Sequence, residues 1–293
     1  MAAPIILCDT AGMTNEQWLE ARMHGPHGKI PYTVGGSDVA AIFGVSPWTT
    51  PLELWNIKKG RMKPPKKANA NQLEMGHLLE PIAAHWYAKK TGNIVTVDTN
   101  LYQHADHPYA LANFDRRFTR VSDGVPGILE CKSCTFHKSD EWADGAIPLY
   151  YELQLRFYLA VADVEIGAFS AIWGNNPDND LAMPDIVRDR AKEDMIFEEG
   201  KFYTVMDVRK ADDQNEISRE DDEHTAEKRY RYGSYLRNTK NPVFLDFLKD
   251  EEGKLLTLKG NLEKQAVQSE RAKESLKEVE EKLSLNREVQ HEM

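Results

Sequence analysis

This 293-residue chain has few cysteines, no long apolar run and no excess of positive charge. Its three cysteines, Cys8, Cys131 and Cys134, are too few for a disulfide framework, which is typical of a reducing compartment. No apolar run approaches the roughly 18 residues that a transmembrane helix needs. The first residues also lack the basic start of a signal peptide. We therefore expect a cytoplasmic protein without a membrane contact.

The charge balance excludes a general attraction to polyanions, because 37 lysines and arginines face 47 aspartates and glutamates, a net charge of −10. Any contact with a nucleic acid must therefore be local. The segment 58–67 has six basic residues, two prolines and no acid, which predicts an exposed loop. It could guide a nucleic-acid backbone, and a plain solvated loop is the alternative.

Helical and strand patterns are mixed over the first part of the chain. The spacing of apolar residues and the turn residues predict five helices: over 15–22, from Val39 after a Gly-Gly turn, from Pro51, over 71–90 and over 148–161. The same patterns predict strands over 94–97, 109–118, 128–133 and 164–173. This order predicts an α/β (α+β) fold, with a central mixed β-sheet flanked by helices.

The last part of the chain is charged, poor in glycine and helical in character. We predict a domain over 1–205, a charged linker and helical region over 206–253, and a C-terminal helical extension over 254–293. The leucine stripe between Lys254 and Asn286 favours a helix packed on the chain itself or on a sister subunit. A free coiled coil, an assembly segment or a partly disordered tail are the alternatives.

One pattern carries chemistry. Asp115 is followed fourteen residues later by Glu130-Cys-Lys132. Because side chains alternate in a strand, Glu130 and Lys132 share a face, and a hairpin at 122–127 would bring Asp115 alongside. Two neighbouring carboxylates favour a divalent cation with oxygen ligands, for which Mg²⁺ is the natural candidate. A lysine beside them can orient or deprotonate water, or neutralise charge on a phosphate.

Three further residues could join this cluster. Gln154 and Tyr158 lie one helical turn apart, and Glu80 interrupts an apolar stretch where a carboxylate needs a partner. A zinc site from Cys131, Cys134 and His137 is disfavoured, because alternation turns Cys131 away from Glu130 and the chain has no second CxxC. Four cysteine ligands for an iron–sulfur cluster are lacking.

Several blocks recur in an order typical of one family: Gly35-Gly-Ser-Asp38, Pro51-Leu-Glu-Leu-Trp55, Gly76-His-Leu-Leu-Glu-Pro81, Ala112-Asn-Phe-Asp115, Glu130-Cys-Lys132 and Gln154-Leu-Arg-Phe-Tyr158. Over about 15–205 the chain resembles the YqaJ-like viral recombinases, the lambda-type phage exonucleases of the PD-(D/E)XK nuclease superfamily. The resemblance implies a restriction-endonuclease-like core and Mg²⁺-dependent hydrolysis of DNA, for which Mn²⁺ can substitute.

The resemblance also implies roles for single residues. Asp115, Glu130 and Glu80 would be metal ligands, Lys132 would position the attacking water, and Gln154 would support the site. Arg22 and Ser37 would hold the 5′-phosphate of a DNA end. Candidates for contact with the DNA backbone are Lys58, Lys59, Arg61, Lys63 and Tyr158.

The expected activity is that of an exonuclease that degrades the 5′ strand of linear duplex DNA and leaves a 3′ single strand for recombination by strand annealing. Its expected partners are double-stranded DNA ends, a single-strand annealing protein and other copies of the chain, for which a trimer is plausible. A phage-encoded enzyme would act in the host cytoplasm. The alternatives are an endonuclease with the same fold and a non-catalytic DNA-end-binding or assembly protein.

Overall fold

The computed structural model describes residues 3–28, 30, 32–63, 70–205, 242–266 and 270–293. The chain separates into two compact units. The first consists of Met1–Ala40 and Glu53–Val205, and the second of Ala41–Leu52 and Met206–Met293. Within the described ranges, no helix combines the length and the apolar character needed to cross a membrane.

The strands form two mixed sheets. The strands are β1 (Ile5–Asp9), β2 (Val34–Gly35), β3 (Ile94–Val97), β4 (Asn100–Gln103), β5 (Ala110–Ala112), β6 (Arg116–Thr119), β7 (Pro126–Ser133), β8 (Ile166–Ile172), β9 (Leu181–Ala182) and β10 (Asp185–Val187). One sheet has the order β1, β4, β5, β2, and the other the order β10, β8, β7, β6, β3, with β9 paired to β8. The pairs β2–β5 and β7–β8 are parallel, and the others are antiparallel.

The helices are α1 (Asn15–His24), α2 (Gly36–Ile42), α3 (Pro51–Lys58), α4 (Ala70–Thr91), α5 (Leu149–Ala162), α6 (Arg190–Val205), α7 (Pro242–Ala266) and α8 (Glu270–Glu292), with a 3₁₀ segment over Phe136–Gly145. Thr14 starts α1 through a capping box, in which its side chain accepts from Gln17 N and its own N–H donates to Gln17 Oε1. The helices predicted from the sequence over the first part of the chain are confirmed, with boundaries shifted by up to three residues.

The predicted strand 109–118 is wrong as a single element. The structure splits it into β5 and β6, which belong to different sheets. At the break, Asn113 Nδ2 donates to Asn100 O over 2.8 Å, and the buried Phe114 ring stacks on Tyr102. The break places Asp115 immediately before β6.

In the larger sheet, the interior strand β8 is fully buried. Leu129, Cys131 and Ala168 pack in one core cluster with Ala83 and Ala84 of α4. On the other face α5 comes so close that a β-carbon on Gly167 would lie 3.0 Å from Leu155 Cδ2. The sheet is therefore sandwiched between α4 and α5.

Helix α4 turns only part of its apolar surface toward the sheet. Ala83, Ala84 and Tyr87 are buried and Leu79 packs against the same core cluster. Small residues let the helix backbone approach the strands, and Ser170 Oγ donates to Ala83 O over 2.8 Å. The predicted helix is confirmed, but its large residues Met75, Leu78 and Ile82 are exposed.

The C-terminal extension is two helices, not the single helix predicted from residue 254. Asn286 Nδ2 donates to Leu248 O (3.1 Å) and to Glu251 Oε2 (2.7 Å), and further along Lys259 Nζ lies 2.8 Å from Glu280. The contacting residue numbers rise along α7 while they fall along α8, so the two helices form an antiparallel hairpin. Pro242, which suits the first position of a helix, starts α7. Residues 206–241 of the predicted linker lie outside the described residues.

Candidate active site

The β6–β7 hairpin holds Asp115 beside Glu130. Arg116 pairs with Leu129 in the antiparallel register, so the preceding residue of one strand faces the following residue of the other. Asp115 Oδ2 accepts a 2.8 Å hydrogen bond from Cys131 N. The hairpin and the shared face predicted from the sequence are confirmed.

Glu130 is the buried centre of this cluster, with 2% of its surface exposed. Its Oε1 accepts from Lys132 Nζ over 2.6 Å and from Gln154 Nε2 over 2.7 Å. Its Oε2 is buried and has no hydrogen-bond partner in the described part of the chain. Burial and the neighbouring charge of Asp115 raise the pKa of Glu130 to about 8.

Lys132 and Gln154 complete the arrangement. Lys132 Nζ also donates to Gln154 Oε1 over 3.2 Å, and it lies 4.6 Å from the centre of the Tyr151 ring. Burial alone would lower the pKa of Lys132, but the carboxylates of Glu130 and Asp115 outweigh it and raise that pKa. Lys132 therefore carries an ammonium, which suits charge neutralisation and orientation of water better than proton abstraction.

Glu80 approaches the pair from α4. Its Oε1 lies 2.9 Å from His77 Nδ1. Burial, followed by the charge of Asp115, raises the pKa of Glu80, and His77 opposes this shift. The three carboxylates predicted from the sequence thus influence one another electrostatically, with Glu80 turned toward His77.

The residues fit a hard divalent cation. Nowhere in the described ranges do three His, Cys, Asp or Glu side chains form a group that could hold a metal ion. Mg²⁺ commonly binds through one or two carboxylates and keeps several waters. Glu130 Oε2 is a buried oxygen without a hydrogen-bond partner among the described residues, and a cation beside it would favour the charged form of a carboxyl group whose pKa is raised by burial and by Asp115.

Arg22 and Ser37, which are fifteen residues apart, meet in the structure. Arg22 Nη2 donates to Ser37 Oγ over 3.2 Å, and the guanidinium lies 4.5 Å from the centre of the Trp18 ring. Ser37 lies in the first turn of α2 instead of before the helix, and it is exposed. The two side chains form a compact donor pair of the kind that binds an anion.

A buried chain of contacts runs from this pair toward Glu130. A β-carbon on Gly36 would lie only 2.4 Å from Tyr158 Cε1, so glycine is required for the Tyr158 ring to pack there. Tyr158 OH accepts from Gln154 Nε2 over 3.0 Å. Tyr158 is 5% exposed, so it lies inside the site and not on a surface where a DNA backbone would run.

The basic segment is only partly a loop. Lys58 ends α3 and pairs with Asp38 Oδ2 over 2.7 Å. Lys59 and Arg61 lie over the rings of Tyr32 and Trp55, and Lys63 is exposed. Residues 64–67 of the predicted loop lie outside the described residues. Of the four basic candidates, Lys58 is held inside the fold.

Two residues near these sites were not among the sequence candidates. Asp38 lies within the Gly-Gly-Ser-Asp block, and His77 lies one turn before Glu80. The i to i+3 spacing of His77 and Glu80 on their helix was the available signal. For Asp38 the signal was its position three residues after Gly35, whose N–H it accepts over 2.8 Å.

Solved structures share this fold. The crystal structure of an alkaline exonuclease, LHK-Exo from Laribacter hongkongensis, matches with a TM-score of 0.50 and 22% identity, covering 64% of this chain and 90% of that chain. The structure of LHK-Exo in complex with dAMP matches to the same extent. The fold is the restriction-endonuclease-like fold expected from the sequence, with mixed sheets flanked by helices.

Sequence comparisons reach the same family. Over 194 residues the chain is 32% identical to the uncharacterized protein YqaJ of Bacillus subtilis strain 168; the match covers 66% of this chain and 56% of that protein. Residues 190–288 match the model of tRNA (adenine(22)-N(1))-methyltransferases, a span of about a third of the chain whose described part is helical. The model of the YqaJ-like viral recombinase domain matches residues 17–165, about half of the chain. This span holds the whole of the site described above, and the chain belongs to the YqaJ-like viral recombinase family.

Proposed function

We propose that this protein is a metal-dependent deoxyribonuclease that degrades the 5′ strand of linear duplex DNA from its end and leaves a 3′ single strand. The observation that carries the proposal is the cluster of Asp115, Glu130, Lys132 and Gln154. It holds two carboxylates and an ammonium together, and Glu130 Oε2 has no hydrogen-bond partner among the described residues. The family and the alkaline exonuclease with this fold support nuclease activity.

Asp115 and Glu130 would hold Mg²⁺, for which Mn²⁺ can substitute, and Glu80 is the third proposed ligand. The cation would supply a Lewis acid to the scissile phosphate. Lys132 Nζ would orient the attacking water and neutralise charge that develops on the phosphate oxygens. Gln154 bridges Glu130 and Lys132, so it sets the distance between the carboxylate and the ammonium.

Arg22 and Ser37 would bind the 5′-phosphate of the DNA end. The contact of their side chains and the exposure of Ser37 support this role, because a guanidinium and a hydroxyl together match phosphate oxygens. End binding beside the cluster favours an exonuclease over an endonuclease.

The family supports a further proposal about the product and the assembly. We propose that the 3′ single strand passes to a single-strand annealing protein, that the chain acts as a homo-oligomer, for which a trimer is the expected form, and that it works in the host cytoplasm when phage-encoded. Double-stranded DNA ends are the proposed substrate.

The direct test compares end-labelled linear duplex with covalently closed circular DNA, each with and without Mg²⁺. We expect mononucleotide release from linear duplex in Mg²⁺, no nicking of circles and no cleavage by the E130Q variant. Rapid nicking of closed circles would establish an endonuclease instead. Binding of ends without cleavage in Mg²⁺ or Mn²⁺ would establish an end-binding protein.

A second test concerns the end itself. Duplex with 5′-phosphate should be degraded faster than duplex with 5′-hydroxyl, and the variants R22M and S37A should reduce this preference. The matched control is R120M, because Arg120 forms its ion pair with Asp123 on the exposed turn after β6, away from Arg22 and Ser37 in sequence. Equal rates on both ends in the wild type would refute the role of Arg22 and Ser37.

A further inference from the structure

Asp38 joins two elements of the fold beside the Arg22–Ser37 pair. Its Oδ2 accepts a 2.8 Å hydrogen bond from Gly35 N and lies 2.7 Å from Lys58 Nζ. The two side chains are only 17% and 14% exposed, so this ion pair is largely shielded from water. Lys58 is therefore committed to Asp38 and not to solvent.

The Asp38 carboxylate also lies close to Arg22. A β-carbon built on Gly35 would lie 3.1 Å from Arg22 Nη2 and 3.6 Å from Asp38 Oδ2, so the two side chains flank the same glycine. Nevertheless, Arg22 donates to Ser37, and no carboxylate of the described residues lies within ion-pairing distance of it. An acid so near an anion-binding arginine would compete with the anion unless its charge were already neutralised.

We propose that Lys58 and Asp38 are positioning residues of the 5′-phosphate subsite. Lys58 neutralises Asp38, which leaves the Arg22 guanidinium free for the terminal phosphate. Asp38 in turn accepts a hydrogen bond from Gly35 N. This bond holds Gly35 against Arg22 and Gly36 against Tyr158. Neither residue contacts the DNA. This inference rests on the proposed end recognition and adds that the Lys58–Asp38 ion pair keeps Arg22 available.

The proposal can be tested because the charge of Asp38 can be removed while its hydrogen bond to Gly35 N is kept. In K58M the Asp38 carboxylate loses its cation and should turn to Arg22, which then binds phosphate poorly. In D38N the amide oxygen still accepts from Gly35 N but carries no charge. In the double variant D38N/K58M there is again no charge to capture Arg22, so the subsite should recover.

The experiment measures kcat and KM on duplexes with 5′-phosphate and with 5′-hydroxyl ends for the full chain and for K58M, D38N, D38N/K58M and K58R. We expect K58M to lose about tenfold of the preference for 5′-phosphate, the effect of one charge-assisted hydrogen bond, mainly through KM on the phosphorylated end. K58R, which keeps the cation, and D38N, which keeps an acceptor for Gly35 N, should each lose less of the preference than K58M, and D38N/K58M should exceed K58M. The control is K259M, which removes a more exposed ion pair, Lys259 with Glu280, from the helical hairpin.

The outcomes distinguish this inference from the proposed function. If the wild type prefers 5′-phosphate but the double variant is as poor as K58M, or worse, the pair is merely structural and only this inference is overturned. If the wild type has no such preference, the end recognition fails and the inference fails with it. Thermal unfolding checks each variant. If K58M does not fold, the variant D38N provides the test. A folded D38N protein that loses the preference for 5′-phosphate ends would overturn the argument that Lys58 acts by neutralising Asp38.

Discussion

Cys131 N donates a 2.8 Å hydrogen bond to Asp115 Oδ2, and this bond holds the Asp115 carboxylate against the residue that follows Glu130. The fold thus keeps two acids together by a backbone contact instead of by a balancing charge. Lys132 forms an ion pair with Glu130, but burial of Glu130 and the charge of Asp115 outweigh it and raise the pKa of Glu130. The repulsion between these acids is a built-in property of the hairpin, and a bound cation would relieve it.

The first prediction distinguishes two roles of Asp115, its negative charge in the site and its acceptance of the hydrogen bond from Cys131 N. Both D115N and D115A should lose cleavage by about 10²–10³-fold or more, because each removes a negative charge from the site. Only D115A should also lower the free energy of unfolding, by about 1–3 kcal/mol, because Cys131 N is then left without an acceptor. Nuclease assays and denaturant unfolding measure the two effects. Normal turnover in D115N would contradict the role of the carboxylate.

The second prediction concerns pH. Burial and the charge of Asp115 raise the pKa of Glu130 from its ordinary value of 4.5 to about 8, so a bound cation competes with a proton for this carboxyl group below that pH. The apparent affinity for Mg²⁺ should therefore rise by up to about tenfold per pH unit below 8 and level off above it. Calorimetric titration at pH 6, 7, 8 and 9 measures this. The E130Q variant should bind weakly with no such rise, and a flat wild-type profile would refute the coupling.

The third prediction assigns Lys132 to the reaction and not to metal binding. K132M should slow cleavage by about 10²-fold or more, whereas its affinity for Mg²⁺ should be unchanged or higher, since an ammonium that repels the cation is gone. The matched control is K277M, because the Lys277 side chain is 79% exposed on α8. A variant whose only defect is metal affinity would show that Lys132 shapes the metal site instead.

Much of the site could be predicted from local patterns. Strand alternation and one turn suffice to place Glu130, Lys132 and Asp115 together, because all three lie within a single hairpin. The contact between Arg22 and Ser37 joins distant parts of the chain, so no local spacing indicates it, and the family resemblance supplied it.

The wrong expectations have a common physical origin. Which side of α4 is buried depends on how closely the helix approaches the sheet, and this favours Ala83 over the larger Ile82. Tyr158 is buried because Gly36, distant in sequence, leaves room for its ring. Lys58 was expected on the surface because its neighbours in sequence are basic, but its partner Asp38 lies twenty residues away. Tertiary packing decided each case.

The fourth prediction contrasts two glycines of the first unit. G36A would place a β-carbon 2.4 Å from the Tyr158 ring, so it should cost about 1–3 kcal/mol of stability and reduce the preference for 5′-phosphate ends. G76A lies within α4, where the added β-carbon meets only Ser133 Oγ at 3.5 Å, and it should stabilise the protein by about 0.5–1 kcal/mol. Thermal unfolding compares the two. Equal stability of both variants would show that the Tyr158 ring can move away without cost.

The last prediction concerns the helical hairpin, for which we propose a role in assembly or partner contact. Truncation at residue 254 would cut α7 and strip Leu248 and Glu251 of their contacts with Asn286, so the whole of 242–293 should be removed instead. This variant should still cleave linear duplex in Mg²⁺, because none of the site residues lies in that span, but its oligomeric state or its binding to an annealing protein should change. Light scattering and nuclease assays measure both. Ala41–Leu52 belong to the same compact unit as the hairpin, so the deletion also disturbs a segment that is retained. The variant N286A is therefore a milder companion, because it loosens the hairpin and keeps all its other residues. A well-folded truncated protein with unchanged mass and no cleavage would place the hairpin in the DNA path and overturn this division of roles.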